Sequence, residues 1–128
     1  MKLNTFLLIA AILYAVFGLG GLFAPALLYG PMGITLDAGG QLMARTGSAA
    51  VVGLAVMLWL ARSVENAAAV RAILLGNVVY IAVEVVILLI NLISGAMSTA
   101  GLPGVIVDAL LGVGFGYYYL QSGKPATA

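Results

Sequence analysis

AILLGNVVYIAVEVVILLINLI, residues 72–93, holds fifteen Leu, Ile and Val residues and one charge, Glu84. Twenty-two residues at about 1.5 Å each reach roughly 33 Å, enough to cross the ~30 Å hydrocarbon layer of a bilayer as a helix. A carboxylate at mid-membrane costs about 2.5–3.5 kcal/mol on insertion scales, while each Leu, Ile or Val returns up to about 0.3–0.6 kcal/mol. This segment can therefore carry its glutamate across a membrane. That reading fixes the fold class as an integral membrane helical protein and leaves the purpose of the carboxylate as the open question.

Composition agrees. The 128-residue chain is 64% apolar and 7% charged, against about 25% charged residues in soluble domains. Its length suits one transmembrane domain, residues 1–128. Five basic and four acidic side chains make no basic stripe, so nucleic acid is not an expected partner. The chain has neither His nor Cys, the usual ligands of zinc, haem and iron–sulfur clusters and the usual members of nucleophilic pairs. Lys2 and Lys124 lie near the two ends, so no lysine at membrane depth is placed to form a Schiff base. No cofactor, metal site, catalytic residue or enzymatic activity is expected.

Three more segments have spanning length: residues 3–23, 42–61 and 102–120. The first follows Lys2 and precedes FAPA at 23–26, which resembles a signal peptide. Its apolar run is longer than the usual h-region, so a retained first span is expected. The connectors at 24–41, 62–71 and 94–101 are rich in Gly, Pro, charge or small polar residues. Asp37, Asn66 and Ser98 or Thr99 are candidate N-caps within them. The expected fold is an all-α four-helix bundle. With four crossings, Lys2, Arg62, Arg71 and Lys124 share one face and Arg45 lies toward the other. The positive-inside rule then puts both termini in the cytoplasm. Trp59 and Tyr117–Tyr119 fall at the same cytoplasmic level, where interfacial anchors are common.

Arg45, Glu84 and Asp108 are the ionisable residues within the predicted spans. Counted from the outer ends at about 1.5 Å per residue, they lie roughly 5, 14 and 9 Å deep. A helix that starts near Asp37 instead of residue 42 makes Arg45 interfacial. Asn77, Tyr80, Glu84 and Asn91 recur at spacings of three, four and seven, which keeps them on nearly one face as a polar stripe. Small residues let helices approach closely in lipid, which nominates Gly112 and Gly116, Ala49 and Gly53, and Ala11 and Ala15 as packing positions. The first connector, APALLYGPMGITLDAGGQ, is apolar enough to fold over the outer mouth as a lid. The plainer expectation is an interfacial loop anchored by Tyr29 and Leu36.

Two explanations of the charges compete. In the first, Arg45 satisfies Asp108 and Glu84 in a structural network, and the chain is a non-enzymatic accessory subunit that meets lipid, a membrane-protein partner or further copies of itself. In the second, one arginine cannot neutralise two carboxylates, and Glu84 serves a small proton- or cation-coupled transporter as its carrier group, with Asp108 beside it and Arg45 modulating both. The sequence places the accessory reading first.

The blocks FGLGGLFAPALLYGPMGITLD, residues 17–37, and MARTGSAAVVGLAVMLWLAR, residues 43–62, resemble the small four-helix bacterial membrane proteins grouped as DoxX-like. The likeness covers about the first half of the chain and lies in pattern. It implies a bundle in the bacterial inner membrane and, for some relatives, an accessory role beside redox or respiratory complexes. Arg45 is the only position it marks. Small multidrug-resistance transporters share the length and an intramembrane glutamate. Theirs lies on the first helix, whereas the first span here has none.

Overall fold

A computed structural model describes residues 1–123, and Lys124 lies outside them. Five α-helices occur in the order α1 (Leu3–Phe23), α2 (Pro25–Tyr29), α3 (Ala38–Ala61), α4 (Ala67–Ile93) and α5 (Leu102–Ser122), with short 3-10 turns at Gly30–Met32 and Thr99–Gly101. Four of them, α1, α3, α4 and α5, are long and apolar enough to span a membrane. The protein is a multi-pass, all-α membrane protein.

The helix boundaries follow local chemistry. Pro25 ends α1, because it disfavours helical geometry in the residue before it, and Ala24 sits at φ −139° and ψ 58°. The same proline then opens α2 at a position where its missing N–H costs nothing. Gly33, at φ 76°, turns the chain in a left-handed conformation that a side chain would strain. Asp37 starts α3 by accepting a 2.7 Å hydrogen bond from the Gly40 N–H, and Asn66 starts α4 by accepting one of 3.1 Å from the Ala69 N–H.

These caps correct the boundaries drawn from hydropathy. α3 begins at Ala38 instead of 42, α4 at Ala67 instead of 72, and α5 runs to Ser122 instead of 120. A helix starts where its first N–H groups find acceptors, whereas hydropathy marks where lipid begins. At 24 and 27 residues, α3 and α4 reach about 36 and 40 Å, so both extend beyond the hydrocarbon.

The spans form two hairpins, α1 packed on α3 and α4 packed on α5. They meet most tightly near the chain ends, where Phe6, Leu7, Leu58, Leu74 and Phe115 are buried. Phe6 and Phe115 contact edge to face with centroids 4.9 Å apart, joining α1 to α5. At that same end the Tyr118 hydroxyl donates to the Met1 carbonyl at 2.5 Å. Arg71 donates to the Tyr119 carbonyl at 3.2 Å and lies over the Tyr119 ring. Trp59 is exposed, with the Arg62 guanidinium over its ring.

The close approaches fall on other small residues than most of those expected. A Cβ on Gly18 would come within 2.9 Å of a Val52 methyl and 3.0 Å of the Val52 nitrogen, and one on Gly21 would overlap the Ser48 hydroxyl. The α3 face that meets α1 is therefore Ser48, Val52 and Ala55. Ala49 is exposed and Gly53 has nothing nearby. On α5, Gly112 abuts Ile81 and Gly114 abuts Phe6, while Gly116 faces open space. Spacing alone identified rows of small residues without saying which row faces a helix and which faces lipid.

Candidate functional site

The end of the bundle opposite the chain termini holds a cavity of about 140 Å³. Every span contributes to it. Tyr14 and Phe17 come from α1, Ser48 and Val51 from α3, Tyr80, Glu84 and Leu88 from α4, and Gly104 and Asp108 from α5. The connectors close over it with Leu28, Tyr29 and Met32 on one side and Met97 and Gly101 on the other. They are tied together where the Ser98 N–H donates to the Met32 carbonyl at 2.9 Å. The first connector thus folds down onto the cavity, and Tyr29 and its neighbours form part of the wall.

Both intramembrane carboxylates reach this cavity. Glu84 lies nine residues before the end of α4 and Asp108 six residues after the start of α5, about 14 and 9 Å from those ends. Each is partly buried. Tyr80, one turn before Glu84, lines the same wall, and its ring meets that of Tyr14 edge to face at 6.0 Å. Tyr14 is 5% exposed, and its hydroxyl has no hydrogen-bond partner. A buried hydroxyl without a partner forgoes a bond worth about 1–3 kcal/mol; the residue borders the cavity, but its oxygen is closed off from it.

Arg45 does not join this group. It is exposed on α3, does not line the cavity and has no carboxylate partner among the described residues. The three charges expected to form one polar cluster are two carboxylates in a cavity and one arginine outside it. Arg45 shares the face of Ser48 and Val52 by spacing, but it lies nearly one turn closer to the start of α3 than Ser48, which already abuts Gly21 close to the end of α1 at Phe23. No basic side chain among the described residues lines the cavity. Two carboxyl groups that share a wall without a basic partner favour a cation beside them.

The polar stripe divides in the same way. Tyr80 and Glu84 face the cavity. Asn77 is fully buried, three residues before Tyr80, and donates to the Ile73 carbonyl at 2.9 Å, leaving its Oδ1 without a partner among the described residues. Asn91 donates to the Ile87 carbonyl at 2.8 Å. Both asparagines bond back to their own helix instead of bridging to a neighbour, so they are local features of α4.

Sequence reasoning missed Tyr14 and Ser48. The signal for Tyr14 was present in the spacing of Ala11, Tyr14, Gly18 and Gly21, which puts the tyrosine on the small-residue face of α1. Among the described residues no group of three or more His, Cys, Asp or Glu is placed to hold a metal ion.

The fold and the cavity define a small multi-pass helical membrane protein with an acidic, tyrosine-lined site between its four spans. Compared with known proteins, the chain matches no family model, no curated protein and no solved structure.

Proposed function

We propose that the protein is a small proton- or cation-coupled membrane transporter in which Glu84 is the carrier carboxylate and Asp108 its neighbour. The observation that carries this reading is the cavity shared by the two carboxylates without a basic side chain. A structural ion-pair network calls for Arg45 at the carboxylates, and Arg45 lies outside. An accessory subunit has no need of a cavity walled by all four spans. Intramembrane carboxylates that face a cavity serve elsewhere as proton and ion relays.

In this reading the end bearing Lys2, Arg62 and Arg71 is cytoplasmic, following the excess of basic residues on the inner side of multi-pass proteins. The cavity then lies toward the outer face, with the connector segments Pro25–Met32 and Thr99–Gly101 as its cover. The host membrane is a bacterial inner membrane, as the DoxX-like pattern implies.

The test is proton movement in proteoliposomes carrying a pH gradient, followed with an enclosed pH-sensitive dye as cations are added outside. Wild type dissipates the gradient in a cation-dependent way. Glu84→Gln, which keeps the shape and removes the charge, slows this by about tenfold or more while remaining helical and monodisperse. Equal rates for the two proteins, or no cation-dependent movement in either, defeat the reading.

A further inference from the structure

We propose that the cavity binds an organic monocation, an ammonium group carried on an apolar body about the size of one aromatic ring. This deepens the transport reading and rests on it for the role of the cavity. Size supplies the first limit. A cavity of about 150 Å³ in a protein core takes up one benzene-sized molecule, and the space here is about 140 Å³. A bare proton needs no such volume.

Charge supplies the second limit. Glu84 and Asp108 line the cavity and no Lys or Arg does, so an anionic ligand meets only repulsion. An inorganic cation is a poor match for a different reason. Hard cations surround themselves with six or more oxygens, whereas much of this wall is carbon from Phe17, Leu28, Val51 and Leu88. An ammonium group on an apolar body divides its surface in the same proportions as the wall.

Aromatic chemistry supplies the third. The rings of Tyr14 and Tyr80 stand edge to face and both border the cavity, and tyrosine faces attract organic cations. The positive charge lies beside the two carboxyl groups.

Calorimetric titration of the full chain in detergent micelles tests this with two near-isosteric probes, protonated benzylamine and neutral benzyl alcohol. Benzylamine binds about tenfold or more tightly than benzyl alcohol, the effect of one fully used charged contact. Asp108→Asn keeps the shape of a cavity-lining side chain while removing its charge, and it weakens benzylamine by about tenfold. Glu84→Gln abolishes the preference for the amine. Equal affinity for the two probes overturns the proposal by showing a site for neutral amphiphiles, and so does the absence of binding by a folded protein. Amine binding without proton-linked flux removes the transport reading and leaves this site standing. Flux without amine binding does the reverse.

Discussion

The two ends of this bundle use the same four helices in opposite ways. At the chain-terminal end, Phe6, Leu7, Leu58, Leu74 and Phe115 fill the space between the hairpins, and Arg71 and Tyr118 tie neighbouring helices through backbone carbonyls. At the connector end the hairpins part around Tyr14, Ser48, Glu84 and Asp108, and the gap is covered by short segments instead of being filled. Lipid solvates apolar side chains as well as protein does, so helix association in a membrane depends on close packing. Holding the bundle at one end leaves the other free to keep a cavity. The difference separates the residues that make the fold from those that serve the site.

Substitutions at close contacts between helices carry the largest expected effects on stability. Phe115→Ala empties the contact with Phe6 and is expected to cost about 3–5 kcal/mol, as truncation of a buried aromatic does, measured as a shift in denaturation of the protein in micelles. Gly18→Ala pushes a methyl against the Val52 backbone and is expected to cost about 1–3 kcal/mol by overpacking. A Gly18→Ala protein as stable as wild type contradicts the close approach of α1 and α3. At Asn77, one polar atom is already bonded within α4 and the other has no partner. Asn77→Leu removes both together and is expected to change stability by no more than about 1 kcal/mol. A large loss there indicates that the asparagine bonds a neighbouring helix.

Arg45 gives the smallest expected effect and the sharpest contrast with Glu84. Because it is exposed and outside the cavity, Arg45→Gln is expected to shift stability by no more than about 0.5 kcal/mol and to leave cation-dependent proton movement unchanged in the proteoliposome assay. A loss of flux comparable with that of Glu84→Gln places Arg45 in the working site and breaks the division drawn between the two.

Much of the fold was legible because its signals are local. Spanning length and apolar content identify four crossings, from residues 3, 42, 72 and 102 onward, and the side chains of Asp37 and Asn66 mark true helix starts. Hydropathy placed the starts of α3 and α4 four and five residues late (42 against 38, 72 against 67) because the capped turns lie beyond the apolar stretch. The site was legible only in part. Periodicity put Tyr80 and Glu84 on one face and depth put Asp108 at a similar level, and both carboxylates reach one cavity. Periodicity cannot give the rotation of one helix against another. For that reason it favours the Ala49 and Gly53 face of α3 over that of Ser48 and Val52 and passes over Tyr14, while Arg45 lies too near the start of α3 to reach the carboxylates.

The connector end holds an accessible acidic site for a cation, while the terminal end is closed. The chain contains no cysteine, so single cysteines report the two ends without background. Ser48→Cys, on the cavity wall, and Ala10→Cys, in the buried face of α1, are exposed in turn to 2-aminoethyl methanethiosulfonate, a small ammonium-bearing thiol reagent. Modification of the cysteine at 48 is expected to be about tenfold faster or more, since thiol reactivity follows access, and protonated benzylamine slows it. A cysteine at 48 as protected as one at 10, or one that reacts at a rate indifferent to benzylamine, contradicts the account.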